Sequence, residues 1–167
     1  MKIRLGAPRA LPGHGQRGAA MVEFAIVLPL LLMIFFGLAE FGRALLLQHN
    51  LVRHVEAGAR YLGRSYQTLN ADCSETPAWT TAAGAAADLV VYGNEAGSGP
   101  ALIGGMGAGD VSIAAPAARA VPGYGNACVV HVAASVAYPS LFGATLPLLG
   151  LPQPRLQAAS EERYVGE

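Results

Sequence analysis

Residues 19–39 read AAMVEFAIVLPLLLMIFFGLA, a run whose single charged side chain is Glu23. At 1.5 Å per helical residue the run is about 32 Å long, enough to cross a hydrocarbon core of about 30 Å. The stretch predicts one membrane crossing. Pro29 does not count against it, because neighbouring groups re-satisfy the backbone that a proline frees in a spanning helix. The whole chain is 53% hydrophobic and 13% charged. That apolar excess is high for a soluble domain, and this run is where it is concentrated.

Charge orients the crossing. Residues 1–18 carry Lys2, Arg4, Arg9 and Arg17 and no acid, whereas residues 65–167 carry Arg119, Arg155 and Arg163 against eight carboxylates. Basic residues beside a span stay on the cytoplasmic side. The expectation is a single-pass membrane protein with a cytoplasmic N-terminus and an extracytoplasmic C-terminal head. The acidic remainder lacks the clustered basic face that nucleic-acid binding needs.

Past Glu40 the pattern becomes amphipathic. Leu47, Leu51, Val55, Ala59 and Leu62 recur at helical spacing, and Glu56 lies at pairing distance from both Arg53 and Arg60. One helix from about Ala19 to Arg64 would extend roughly 69 Å. Thr76 and Pro77 predict an N-cap and first turn for a second, alanine-rich helix reaching about Val91. Residues 93–126 contain nine glycines and read as loop with one short strand, Val111–Ala115. Cys128 to Tyr138 alternates as a strand ended by Pro139, and residues 155–165 alternate with Arg155, Gln157, Glu161 and Arg163 toward water. The fold expected is α+β: a long transmembrane and amphipathic helix, then a small head with a second helix and a short antiparallel sheet. The parts are a basic leader (1–18), the helix (19–64) and the head (65–167).

Catalytic and cofactor patterns are missing. The one lysine, Lys2, excludes a Walker phosphate loop, and the glycines near Gly104 lack dinucleotide-fold spacing. His14, His49, His54 and His131 form no metal-ligand spacing, and no G-x-S-x-G elbow occurs. No enzyme, metal or cofactor is expected. Cys73 and Cys128 both lie beyond the span, in the oxidising compartment under this orientation, where a disulfide between them is expected; two buried free thiols are the alternative.

Glu23 is costly at the entry to an apolar run, where an ionised carboxylate costs up to about 3 kcal/mol. It snorkels to the headgroups or has a function. The string QRGAAMVEF places Gly18 five residues ahead of it, and no other leader glycine has an acid at that offset. This resembles the cleavage and assembly motif of type IV prepilins. The resemblance implies that prepilin peptidase cuts after Gly18, that Ala19 becomes the new N-terminus, and that Glu23 pairs with a neighbouring subunit's amine. Phe24, also in the assembly motif, stands where processed pseudopilins often have Tyr. The wider string, from G-A-A-x-V-E-F through the L-P-L-L-L core and the G-x-x-E-F-G-R exit to E-A-G-A-R-Y, looks like the TadE-like family of the tight-adherence (Flp, type IVc) pilus machinery. The partners this implies are prepilin peptidase, Flp-type pilins and other pseudopilins, the inner-membrane assembly platform and the bilayer, in a system of cell adhesion and biofilm formation.

Two other readings compete. A signal peptide cleaved near Ala39 would release a soluble secreted protein, although the apolar run exceeds the usual 7–15 residues of such peptides. A membrane-anchored periplasmic binding domain or enzyme would need a pocket with convergent polar groups, and His131 is the one histidine available to the head.

Overall fold

The computed structural model describes residues 15–123, 125–141 and 152–166. Most of the leader, residues 1–14, lies outside the described residues. The chain divides into two compact units, Met1–Ala39 and Glu40–Glu167.

The first unit is the N-terminal part of helix α1 (Gly15–Arg64). The helix starts at Gly15 rather than at the expected Ala19, since no proline stands between those positions to stop it. It is unbroken through Pro29. Every described side chain from Gly18 to Leu38 is exposed.

In the second unit the rest of α1 packs on α2 (Trp79–Tyr92) and on an antiparallel sheet of β1 (Val111–Val121), β2 (Gly125–Ala137) and β3 (Arg155–Arg163), in spatial order β1-β2-β3. The α1 stripe read from spacing is the core seam: Leu51, Val55, Ala59 and Leu62 are fully buried and Leu47 is partly buried. Against it lie Ala86, Val90 and Val91 of α2 and Val130, Val132 and Val136 of β2. Gly58 sets how closely the helices approach. A Cβ there would stand 2.6 Å from Val90 Cγ2 and 3.1 Å from the Ala86 carbonyl oxygen. On the polar side Glu56 pairs with Arg60 at 3.0 Å, and no ion pair joins it to Arg53 among the described residues.

Other boundaries differ from expectation as well: strand β2 runs from Gly125 to Ala137 rather than from Cys128 to Tyr138. Helix α2 begins at Trp79 with Ala78 as N-cap, not at Thr76. The Thr76 hydroxyl instead donates to the Gln67 carbonyl (2.8 Å) and accepts from Ala78 N–H (3.2 Å), so it holds the turn that leads into the helix. Strand β1 continues to Val121 instead of ending at Ala115. A bulge between Ala114 and Ala117 takes Pro116 out of the ladder, and an edge strand tolerates both. Strand β3 stops at Arg163, where the chain turns to bond elsewhere: Tyr164 N–H donates to the Cys128 carbonyl and Val165 N–H to that of Gly63, both at 2.8 Å. Arg155, Gln157, Glu161 and Arg163 are exposed, matching the alternation.

Candidate functional site

The first candidate is the apolar surface of the N-terminal unit. Gly18 lies within α1 with open space around it, and Ala19, Glu23 and Phe24 follow it there as exposed residues. Five residues of rise put Gly18 and Glu23 about 7.5 Å apart along the axis. Glu23 has no hydrogen bond or ion pair among the described residues. Around it Met21, Val22, Phe24 and Ile26 are all more than half exposed. By length and composition this is the one described helix able to cross a membrane, and none of its apolar window is buried against protein. In water such a surface would be a large unfavourable exposure; lipid or other apolar helices would cover it.

The second feature is where the helix leaves the apolar run. Glu40 Oε1 accepts from Leu141 N–H at 2.9 Å, and the Glu40 carbonyl accepts from the Tyr138 hydroxyl at 3.2 Å. Arg43, one turn on, lies 3.7 Å from the Glu40 carboxylate with its guanidinium 5.7 Å from the Tyr138 ring centroid. A hydrogen bond from Ser140 is the main cause holding the Glu40 carboxyl below its ordinary value; partial burial opposes it and Leu141 N–H and Arg43 reinforce it. Burial and the neighbouring carboxylate push the Tyr138 phenol up. Glu40 Oε2 and Arg43 Nη1 are buried with no hydrogen-bond partner among the described residues, and the two groups lie 3.7 Å apart as an ion pair.

Elsewhere in the second unit, Cys73 and Cys128 are joined, with Cα atoms 5.3 Å apart. The bridge ties the loop after α1 to β2. That loop is fixed a second time by Tyr164, whose hydroxyl accepts from Thr68 N–H (2.9 Å) and is hydrogen-bonded to the carbonyls of Ser65 (3.1 Å) and Gly166.

The head's depressions do not gather a reactive set. One, of about 740 Å³, is lined by Arg60, Tyr61, Arg64 and small residues of α2 among others. His131 stands on the outer face of β2, in register with Ala114 and Glu161, and makes no hydrogen bond among the described residues. No three His, Cys, Asp or Glu side chains converge among the described residues.

Residues 18–60 match the TadE-like protein family. The match begins at Gly18 and ends at Arg60, covering the apolar run, its exit and most of the buried seam of α1. The match supports involvement in assembly of the tight-adherence pilus. No curated protein and no solved structure matches the chain.

Within the TadE-like segment the structure gives work to residues that spacing alone left without a role. Glu40 and Arg43 of the G-x-x-E-F-G-R string hold the turn after β2, and Gly58 of E-A-G-A-R-Y is the point of closest approach to α2. An acid placed directly after an apolar run was the available signal for Glu40. Nothing in sequence pointed to Tyr138 as its partner.

Proposed function

We propose that this chain is a minor pseudopilin, or closely related assembly component, of a tight-adherence pilus. In this reading residues 19–39 cross the inner membrane with the N-terminus cytoplasmic, and the head stands on the periplasmic or extracellular side. The leader is removed by prepilin peptidase between Gly18 and Ala19. Glu23, followed by Phe24, then meets the free amine of a neighbouring subunit, so the chain acts by assembling with pilins and the platform rather than by catalysis.

The observation that carries this reading is a family match starting at Gly18 and continuing through an exposed apolar helix. Glu23 without a described partner supports it. An isolated carboxylate in lipid is a cost. Beside another subunit's amine it gains a charge partner in a medium that screens the pair far less than water does. The benefit arises only in the oligomer.

The test is the mass and N-terminal residue of the membrane-bound chain. Loss of residues 1–18, abolished by Gly18→Val, is expected; an N-terminus at Glu40 would replace this reading with a secreted protein. Glu23→Gln should keep cleavage and membrane fractionation while weakening co-purification with the pilus's other pilins. Undiminished co-purification would reduce Glu23 to a tolerated interfacial acid.

A further inference from the structure

The turn after β2 is held beside the helix at the residue where the apolar run ends. Leu141 N–H is 2.9 Å from Glu40 Oε1, the Tyr138 hydroxyl is 3.2 Å from the Glu40 carbonyl, and Arg43 covers the Tyr138 ring. These contacts fix Leu141 at the level of Glu40, the first residue after Ala39. Yet Leu141 is 75% exposed and Phe41, next on the helix, is 62% exposed. Two large exposed apolar side chains thus flank the chain position of an acid that bonds the Leu141 N–H and is paired with Arg43.

We propose that this base of the head, Phe41 and Leu141 around the Glu40–Arg43–Tyr138 clamp, rests in the interfacial layer of a phospholipid bilayer. The inference depends on the reading of residues 19–39 as a span and goes beyond it, because a span alone would leave the head free to stand clear of the lipid. The polar layer adds about 5–8 Å on each side of the hydrocarbon core. A residue within a turn of the last apolar position therefore falls inside that layer. Tyr138, itself 4% exposed, acts from inside by holding the turn, so the side chains that would meet lipid are those of Phe41 and Leu141. The Glu40–Arg43 pairing lowers the cost of bringing a carboxylate there. Sequence continuity agrees: residues 142–151, FGATLPLLGL, follow Leu141 directly and contain no charged side chain. A protein partner fits less well. Two side chains present far less than the roughly 1,000 Å² that a specific protein interface needs, whereas lipid contact begins where the span already ends.

The experiment uses the full chain in a Trp79→Phe background, which removes the protein's one tryptophan. Single tryptophans are introduced by Leu141→Trp, Phe35→Trp and Tyr66→Trp. Each variant is reconstituted at one copy per nanodisc of phosphatidylcholine and phosphatidylglycerol, with bromines either near the headgroups or deep in the acyl chains. Leu141→Trp should lose most of its emission to headgroup-proximal bromines, Phe35→Trp to deep bromines, and Tyr66→Trp to neither. Adding Glu40→Ala and Tyr138→Phe should reduce quenching at position 141 and leave that at position 35 unchanged. Quenching at 35 without quenching at 141 overturns the inference and leaves the span intact. A blue-shifted but unquenched tryptophan at 141 means that protein covers the patch, and overturns it equally. Loss of quenching at 35 overturns the span reading itself. If Trp79→Phe does not fold, a ketone-linked nitroxide at position 141 in the unaltered background replaces the tryptophan. Oxygen must then reach it more readily than a water-soluble nickel chelate does, and the reverse order overturns the inference.

Discussion

Replacing Gly58 by alanine tests whether the TadE-like segment packs the head as described. The added Cβ would sit 2.6 Å from Val90 Cγ2 and 3.1 Å from the Ala86 carbonyl oxygen. Carbon atoms in contact prefer about 3.5–4.0 Å, so the overlap with Val90 is about 1 Å. Val90 cannot swing away easily: it is β-branched, in a helix that leaves it essentially one rotamer, and 1% exposed. Overpacking of this kind costs about 1–3 kcal/mol. Alanine regains up to about 1 kcal/mol of helix propensity over glycine, which leaves a net loss of about 1–2 kcal/mol for a clash at the upper end. For a head of this size that corresponds to a fall in Tm of roughly 3–10 °C. Trp79 is the convenient probe, being the one tryptophan, on α2 and 6% exposed. Its emission in the detergent-solubilised full chain should report α2 leaving α1. Gly58→Ala combined with Val90→Ala removes the clashing methyl, so the pair should be less destabilised than the sum of the single variants by about 1 kcal/mol or more. A Gly58→Ala protein that melts higher than the parent, or strictly additive variants, would refute the close approach of the two helices.

Alkylation of the unreduced protein should label neither Cys73 nor Cys128, and Cys73→Ser with Cys128→Ser should cost roughly 4 kcal/mol on the chain-entropy model for a separation of 55 residues. Tyr164→Phe should lower stability by about 1–3 kcal/mol by leaving the Thr68 N–H without its acceptor; an unchanged melt would show that water replaces the hydroxyl at no cost. The carboxyl of Glu40 is held below its ordinary value of 4.5, first by the Ser140 hydrogen bond. Its contribution to stability is therefore complete above that value and lost as the pH falls through the lower folded value. Glu40→Gln should lower Tm at neutral pH and flatten this part of the acid limb, and an identical acid limb in the variant would exclude Glu40 as a source of it.

The sequence by itself determined the elements that periodicity and composition specify locally. A long apolar run must be covered by lipid or protein whatever the rest of the chain does, so a helix able to cross a membrane could be read without tertiary information. The same holds for the α1 seam of Leu51, Val55, Ala59 and Leu62, for the alternation of β2 and β3, and for the Gly18–Glu23 register, which is a matter of covalent spacing. Other features were decided by contacts between residues far apart in the chain. Strand β1 was read only as far as Ala115; its second half was hidden by Pro116 and by an alanine-rich composition with little strand preference, and its full length depends on β2 being present to pair with it across a bulge. Helix α2 lost its expected threonine cap because the hydroxyl of Thr76 found a carbonyl nine residues back. Gly58 read as a tolerated helix glycine until α2 was seen against it. The clamp at Glu40 joins residues 98 and 101 positions apart. No local pattern encodes such a pairing, because it is the packed sheet that carries Tyr138 and Leu141 back to the helix at the end of the apolar run.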